Sequence, residues 1–241
     1  MDLLEQDVLG DSIGEHWYYR SKRCAVLSLL GERSPRSVLD VGAGSGFFAR
    51  EILRATAAER AVCVDPNYPA ERDEQEGGKP ILFRRGIDGT DADLLLLMDV
   101  LEHVDDDAGL LGEYVRLARP GSTVLISVPA FRWLWSGHDV FLGHRRRYTV
   151  RQLEAVAREC GIAIDRSCYF FASVFPIAAL RRLPAAIGQA WTGREPEARS
   201  DMRRHGAAVN AVLSGLCRTE LPVFRHNRLF GLTAFLLGQV R

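Results

Sequence analysis

At 241 residues the chain has the size of one α/β domain, because doubly wound and barrel folds reach this length around a single core. Apolar residues make up 47% and charged residues 26%, and Lys+Arg and Asp+Glu both number 31, so the formal net charge is zero. That balance excludes a global field suited to nucleic acid or an anionic membrane.

The five cysteines, Cys24, Cys63, Cys160, Cys168 and Cys217, are scattered and odd in number, which suggests neither a disulfide framework nor a zinc site. No metal is expected. Asp2, Glu5 and Asp7 stand where a signal peptide wants positive charge. The most apolar stretch, Cys168 to Leu180, is too short to span a bilayer and contains Pro176. A cytoplasmic protein without a transmembrane segment is expected, with peripheral membrane contact through 170–190 left open and oligomeric state unassigned.

From Ser37 to Val128 short β-branched runs alternate with helical patterns, the signature of βαβ units and a parallel sheet. Ser37 to Val41 reads as a first strand, followed by glycines and a helix through Phe47, Phe48, Ile52 and Leu53. Ala61 to Asp65 reads as a second strand ending in a carboxylate, and Pro80 to Phe83 as a weaker third. The continuous apolar run of the fourth, Asp93 to Met98, suits a central strand covered on both faces. A helix carrying Leu110, Leu111, Tyr114 and Val115 inward stops at Pro120-Gly121, before a fifth strand from Thr123 to Val128. Thr149 and Gln152 form a capping box for a helix ending at Gly161, and a sixth strand follows at Ile162 to Ile164. Glu71 to Gly78 reads as a loop tip.

The pattern predicts a Rossmann-like, doubly wound, mostly parallel seven-stranded sheet. Residues 1–36 are an N-terminal helical cap, 37–169 the core, 170–228 a helical insertion and 229–241 the last strand.

The strongest local signal is Asp40-Val41-Gly42-Ala43-Gly44-Ser45-Gly46, a strand feeding a glycine turn that opens a helix. Glycines permit positive φ and close approach of a ligand to the backbone. A nicotinamide or flavin fingerprint needs its third glycine at position 47, which is Phe47. Asp65, about twenty residues on at a strand end, is placed to accept both ribose hydroxyls of a nucleoside.

The glycine spacing, Asp65 and Asp99-Val100-Leu101-Glu102-His103 after the fourth strand together resemble class I S-adenosylmethionine (SAM)-dependent methyltransferases that act on small molecules. The resemblance implies that Asp40, Gly42, Ala43, Gly44 and Gly46 cradle the amino-acid end of the cofactor, and that Asp65 and Pro66 meet the ribose. It implies adenine contacts from Asp88 or the backbone near Ile87. Met98, Asp99, Val100 and His103 would line the methyl-donor pocket. Apart from the resemblance, one of Arg20 and Arg23 is expected to pair with the cofactor carboxylate. The segments His16 to Arg23, Val128 to Asp139 and Leu142 to Thr149 resemble a bacterial subfamily found in glycan, lipid-linked sugar and natural-product pathways.

The segment from Phe131 to Tyr148 combines two tryptophans, two histidines, an aspartate and three consecutive arginines beyond the fifth strand, where open α/β sheets place their ligands. Trp17, Tyr19, Trp135, His138, Arg147 and Tyr148 are the candidate substrate contacts. They are expected to form one enclosure with His16 and Arg20, with the arginines at 145 to 147 meeting an anionic group on the acceptor. His138, His144 and His103 are candidate general bases for a hydroxyl acceptor, although His138 with Asp139, and His144, read equally well as structural histidines. The chain lacks the prolines of an adenine-N6 enzyme after its fourth strand and the Pro-Cys pair of a cytosine-C5 enzyme, so a small-molecule acceptor is expected and nucleic acid is not. The rival functions are a Rossmann-type oxidoreductase, against which Phe47 speaks, and a non-catalytic SAM-binding partner subunit.

Overall fold

A computed structural model describes residues 10–203 and 205–241. Asp2, Glu5 and Asp7, and with them the first nine residues of the expected cap, lie outside the described residues. Helix α1 (Trp17–Leu30) starts where the His16 side chain accepts the Tyr18 N–H and ends at Gly31. The chain continues through β1 (Ser37–Val41), α2 (Phe47–Ala55), β2 (Arg60–Val64), β3 (Arg72–Glu76), β4 (Lys79–Arg84) and β5 (Leu94–Met98). Next come α3 (Asp107–Leu117), β6 (Thr123–Pro129), α4 (Gly137–Leu142), α5 (Val150–Glu159) and β7 (Ile162–Phe170). Helices α6 (Phe175–Thr192) and α7 (Ala207–Glu220) precede β8 (Thr233–Val240).

The strands form one sheet in the order β3-β4-β2-β1-β5-β6-β8-β7. The four pairings from β4 through β6 are parallel, and the outer three are antiparallel. From β1 the chain builds first toward β2 and later toward β5, so the strand order reverses at β1, and such a switch point opens a crevice at the carboxyl ends of the strands. Alternate residues fill the two faces, as the strand period requires. Val38, Leu94, Leu96 and Leu125 pack one core with α1 and α2. Leu39, Leu95, Leu97, Val124 and Ile126 pack the other with α3 and α5.

The sheet has eight strands, one more than the sequence pattern predicts. The extra one, β3, is Arg-Asp-Glu-Gln-Glu and carries no apolar residue, so hydrophobic periodicity cannot reveal it. It pairs with β4 across Gly77 and Gly78, whose φ values of 58° and 79° make a tight hairpin turn. Ion pairs hold it: Arg50 with Glu74, Arg54 with Glu76, and Arg84 with Asp73. Strand β7 likewise runs to Phe170, well past Ile164, with a register shift between Ile164 and Arg166 that passes over its polar centre.

Helices α6 and α7 lie between β7 and β8, and they expose Ile177, Leu180, Val209 and Val212. Among the described residues no helix is long and apolar enough to cross a membrane.

Candidate functional site

The glycine turn joins the carboxyl end of β1 to α2. Gly42, Gly44 and Gly46 have φ values of 63°, 54° and 72°, a left-handed region that L side chains occupy at a cost. A Cβ on Gly42 would stand 2.8 Å from Val100, and one on Gly46 would stand 3.1 Å from both Cys63 and Phe83. The turn is tied to β2, because the Gly42 N–H donates to the Val64 carbonyl at 2.7 Å. The Tyr68 hydroxyl donates to the Gly44 carbonyl at 2.7 Å.

Two carboxylates flank the turn. Asp65 follows β2, is buried, and accepts the Gly44 N–H at 3.3 Å and the Asn67 N–H at 2.9 Å. Asp40 lies beneath the turn and accepts the Ala49 N–H at 3.3 Å. Burial there pushes its carboxyl up to about 7. Phe47 begins α2 buried against Tyr19, with ring centroids 5.4 Å apart, so a packed aromatic ring stands where a dinucleotide loop has its third glycine.

A second centre forms at the end of β5. Asp99 has φ 56°, an unusual conformation of the kind that collects at ligand sites. Its carboxylate accepts the Ser127 hydroxyl at 3.0 Å and pairs with Lys22, an α1 lysine that is completely buried. Lys22 also donates to the Tyr18 hydroxyl at 3.3 Å. Burial pushes the Asp99 carboxyl up, but the adjacent ammonium outweighs burial and holds it below the usual range.

The third centre comes from the segment after β6. Asp139 has no exposed side-chain surface and is gripped by Arg147, with Nε to Oδ1 at 2.7 Å and Nη2 to Oδ2 at 3.0 Å. The third Arg147 contact is Nη1 to the Ala130 carbonyl at 3.0 Å. Ser136 N–H adds a donor to Asp139 at 2.8 Å, and His144 Nδ1 lies 2.9 Å from its Oδ1. Against the burial that would raise it, His144 and Arg147 hold the Asp139 carboxyl well below the usual range. With Asp139 ionised, His144 donates to it through Nδ1–H, which fixes the orientation of the ring and leaves Nε2 on its far side. The His103 ring stands 4.8 Å from that of His144, edge to face. Beside them Glu102 is fully buried, and neither carboxylate oxygen has a hydrogen-bond partner. Burial first, and then the charge of Asp99, push the Glu102 carboxyl well above its usual range.

The second and third centres open on a cleft of about 470 Å³. Its walls include His16, Trp17 and Tyr18 from the front of the chain, Asp99, Glu102 and His103 after β5, and His138, His144 and Arg147 after β6. Val174, Ile177, Ala178, Arg181, Arg182, Arg203 and Leu213 close the remaining side. The glycine turn does not itself line this cleft; the two meet where Val100, next to Asp99, packs on Gly42. Trp17, His138, His144, His103, Asp99 and Arg147 are thus brought together.

Four expected site residues are placed elsewhere. Tyr19 is 1% exposed in the core against Phe47 and Phe48. Trp135 is buried, with the Arg132 guanidinium 3.8 Å from its ring centroid. The Tyr148 hydroxyl is spent on Asp107 at 2.6 Å and the Leu101 carbonyl at 3.2 Å, which ties its segment to the start of α3. Arg20 lines a separate narrow crevice with Arg23, Cys217 and Arg218.

The arginines expected to meet an anionic acceptor are also occupied: Arg145 and Arg146 pair with Asp105 and Asp107, and Arg147 with Asp139. Among the expected cofactor contacts, Met98 is packed in the core, Ile87 is half-buried, and Pro66 and Asp88 are exposed. Sequence reasoning missed Lys22, Tyr18, Glu102 and the arginines at 181, 182 and 203. A lysine on an amphipathic helix reads as a solvated face, and nothing local signals a partner 77 residues away.

Comparison with known proteins bears on the family and the fold. A family model described as a methyltransferase domain matches residues 15–167. An uncharacterized methyltransferase of Mycobacterium sp. (strain JLS) is 33% identical over 114 residues, 45% of each chain. The chain thus spans less than half the length of the curated relatives it matches. Among solved structures, an O-methyltransferase family protein from Burkholderia thailandensis superposes with a TM-score of 0.53 at 16% identity, over 92% of this chain and 56% of that one. The [4+2]-cyclase SpnF superposes with a TM-score of 0.51 at 15% identity, over 92% and 79%. These likenesses establish a shared fold, and the cyclase shows that the fold alone does not name a reaction.

Proposed function

The chain belongs to the methyltransferase domain family, and we propose that it transfers the methyl group of SAM to a small-molecule acceptor held in the 470 Å³ cleft. The observation that carries this reading is the left-handed glycine turn and buried Asp65, set at adjacent strand ends and meeting the cleft at Asp99 and Val100. The turn suits the cofactor, since left-handed glycines at 42, 44 and 46 bend the chain sharply at the end of β1 beside the buried carboxylate of Asp65, and a Cβ at Gly42 or Gly46 would force that turn against Val100 or against Cys63 and Phe83. Gly42, Ala43, Gly44 and Gly46 hold the amino-acid end, Asp65 accepts from the ribose hydroxyls, and residues 87–88 border the adenine.

When bound, SAM supplies a methyl group already activated on a sulfonium. The protein therefore has to position the acceptor and exclude water. Trp17 and Tyr18 cover the donor end of the cleft, and Lys22 fixes Asp99 there. The helices of 170–228 act as the acceptor-binding unit. Val174, Ile177, Ala178 and Leu213 suit an apolar portion, and Arg181 and Arg203 suit a phosphate or carboxylate, with Arg182 beside them held by Asp201. A lipid-linked sugar or natural-product intermediate has both parts. His103, His138 and His144 line the cleft, and this supports them as candidates to take the acceptor proton.

The test is incubation of the protein with methyl-labelled SAM and fractionated host extract, followed by mass analysis. The expected result is label in one anionic, partly apolar metabolite. Label in nucleic acid, or in no fraction while cofactor binding is intact, would refute the acceptor assignment.

A further inference from the structure

Glu102, His103 and His144 each bring one ligand atom to within 4.8 Å of the others, at the donor end of the cleft. Two further observations single the cluster out. The Glu102 carboxylate is fully buried, and both its oxygens lack a hydrogen-bond partner, an arrangement that costs free energy unless something supplies the missing contact. His144 is oriented through Nδ1 by Asp139 at 2.9 Å, and Asp139 is in turn locked by Arg147. A carboxylate that fixes the tautomer and ring of a histidine from behind is the usual support of a metal-bound imidazole.

We propose that Glu102, His103 and His144 form a divalent transition-metal site, and that the methyl acceptor binds the ion through a hydroxyl oxygen. Two imidazole nitrogens and one carboxylate are the donor set of zinc, iron, manganese and cobalt, and not that of the all-oxygen magnesium and calcium sites. A bond of about 2.1 Å to each ligand brings the three atoms to about 3.3 Å apart, so the side chains close around the ion by rotation. The three protein ligands lie on the cleft wall and leave the side facing the cleft for an acceptor oxygen.

This deepens the methyltransferase reading and rests on it. The cation lowers the pKa of a bound hydroxyl. The O–H bond breaks with its proton passing to water, the oxygen forms its bond to the methyl carbon, and the carbon–sulfur bond breaks with its electron pair remaining on sulfur. His144 acts there as a ligand, with Asp139 and Arg147 as positioning residues. The acceptor class narrows to hydroxyl compounds.

The experiment titrates chelator-treated full-length protein with Co²⁺, followed by visible absorbance and by proton NMR of contact-shifted imidazole N–H signals. S-adenosylhomocysteine (SAH) binding is measured by calorimetry on the same samples. The expected result is one Co²⁺ per chain, two shifted imidazole signals, and affinity at least tenfold weaker in Glu102→Gln and in His144→Ala. Absence of stoichiometric uptake, or shifted signals from fewer than two imidazoles, overturns the site even if a variant fails to fold. Retained SAH binding without Co²⁺ uptake overturns the metal site alone, whereas failure to bind SAH overturns the methyltransferase reading beneath it.

Discussion

Replacing Arg147 with Met tests whether the segment after β6 is held by the buried clamp on Asp139. The side chains of the pair are 4% and 0% exposed, so the substitution strands a carboxylate in the interior. Breaking a buried ion pair costs about 3–5 kcal/mol. Asp139 keeps the Ser136 N–H and His144 as donors, which favours the lower end, while the Ala130 carbonyl loses its Arg147 partner, adding about 1 kcal/mol. The expected loss is therefore about 3–4 kcal/mol, read from urea unfolding at neutral pH with the slope unchanged. Arg147→Lys recovers part of it, because a single ammonium cannot meet both carboxylate oxygens as the guanidinium fork does.

The pH dependence carries a sign as well. The folded-state value of Asp139 lies below its unfolded value, so its contribution is present above about pH 4 and is lost as pH falls. The gap between wild type and Arg147→Met thus narrows in acid. A loss below about 1 kcal/mol, or a gap that widens as pH drops from about 4, would refute this account of the clamp.

Asp65→Ala weakens SAH binding by about 1.5–3 kcal/mol, the scale of hydrogen bonds to a charged group; calorimetry checks it, and unchanged affinity removes Asp65 from the ribose site. Gly44→Val abolishes cofactor binding in a folded chain, because a β-branched residue at φ 54° strains the turn and fills ligand space; retained affinity with native circular dichroism contradicts the assignment. Asp40 has a folded-state value of about 7, above its unfolded one. Its stability contribution is therefore full below about pH 4 and lost as pH rises toward 7, so Asp40→Asn flattens the apo-protein profile over that range, and an unaltered profile contradicts the assignment.

The glycine turn and the central strand were legible because backbone demands leave their mark on residue type. Positive φ at Gly42, Gly44 and Gly46 calls for glycine, and the buried run of β5 calls for Leu94 to Leu97. The cleft was less legible because its walls are assembled by tertiary contacts. Lys22 is indistinguishable in sequence from a solvated lysine, yet it is fully buried on Asp99. Tyr148 and Trp135 carry the composition of a binding loop and are spent on fastening that loop. In the proposed reading the anionic group of the acceptor meets Arg181 and Arg203 in place of residues 145–147, because ion pairs claim that first set, as Asp201 claims Arg182. Strand β3 shows the converse, a strand stabilised by charge pairing where the hydrophobic pattern is silent.

The most direct test of the central claim is a crystal structure of the protein with SAH. The account predicts the homocysteine end against residues 42–46, the ribose hydroxyls on Asp65, and the sulfur directed into the cleft beside Asp99. Density for SAH away from Asp65, or a sulfur facing away from the wall formed by Trp17, Asp99 and His144, would contradict it.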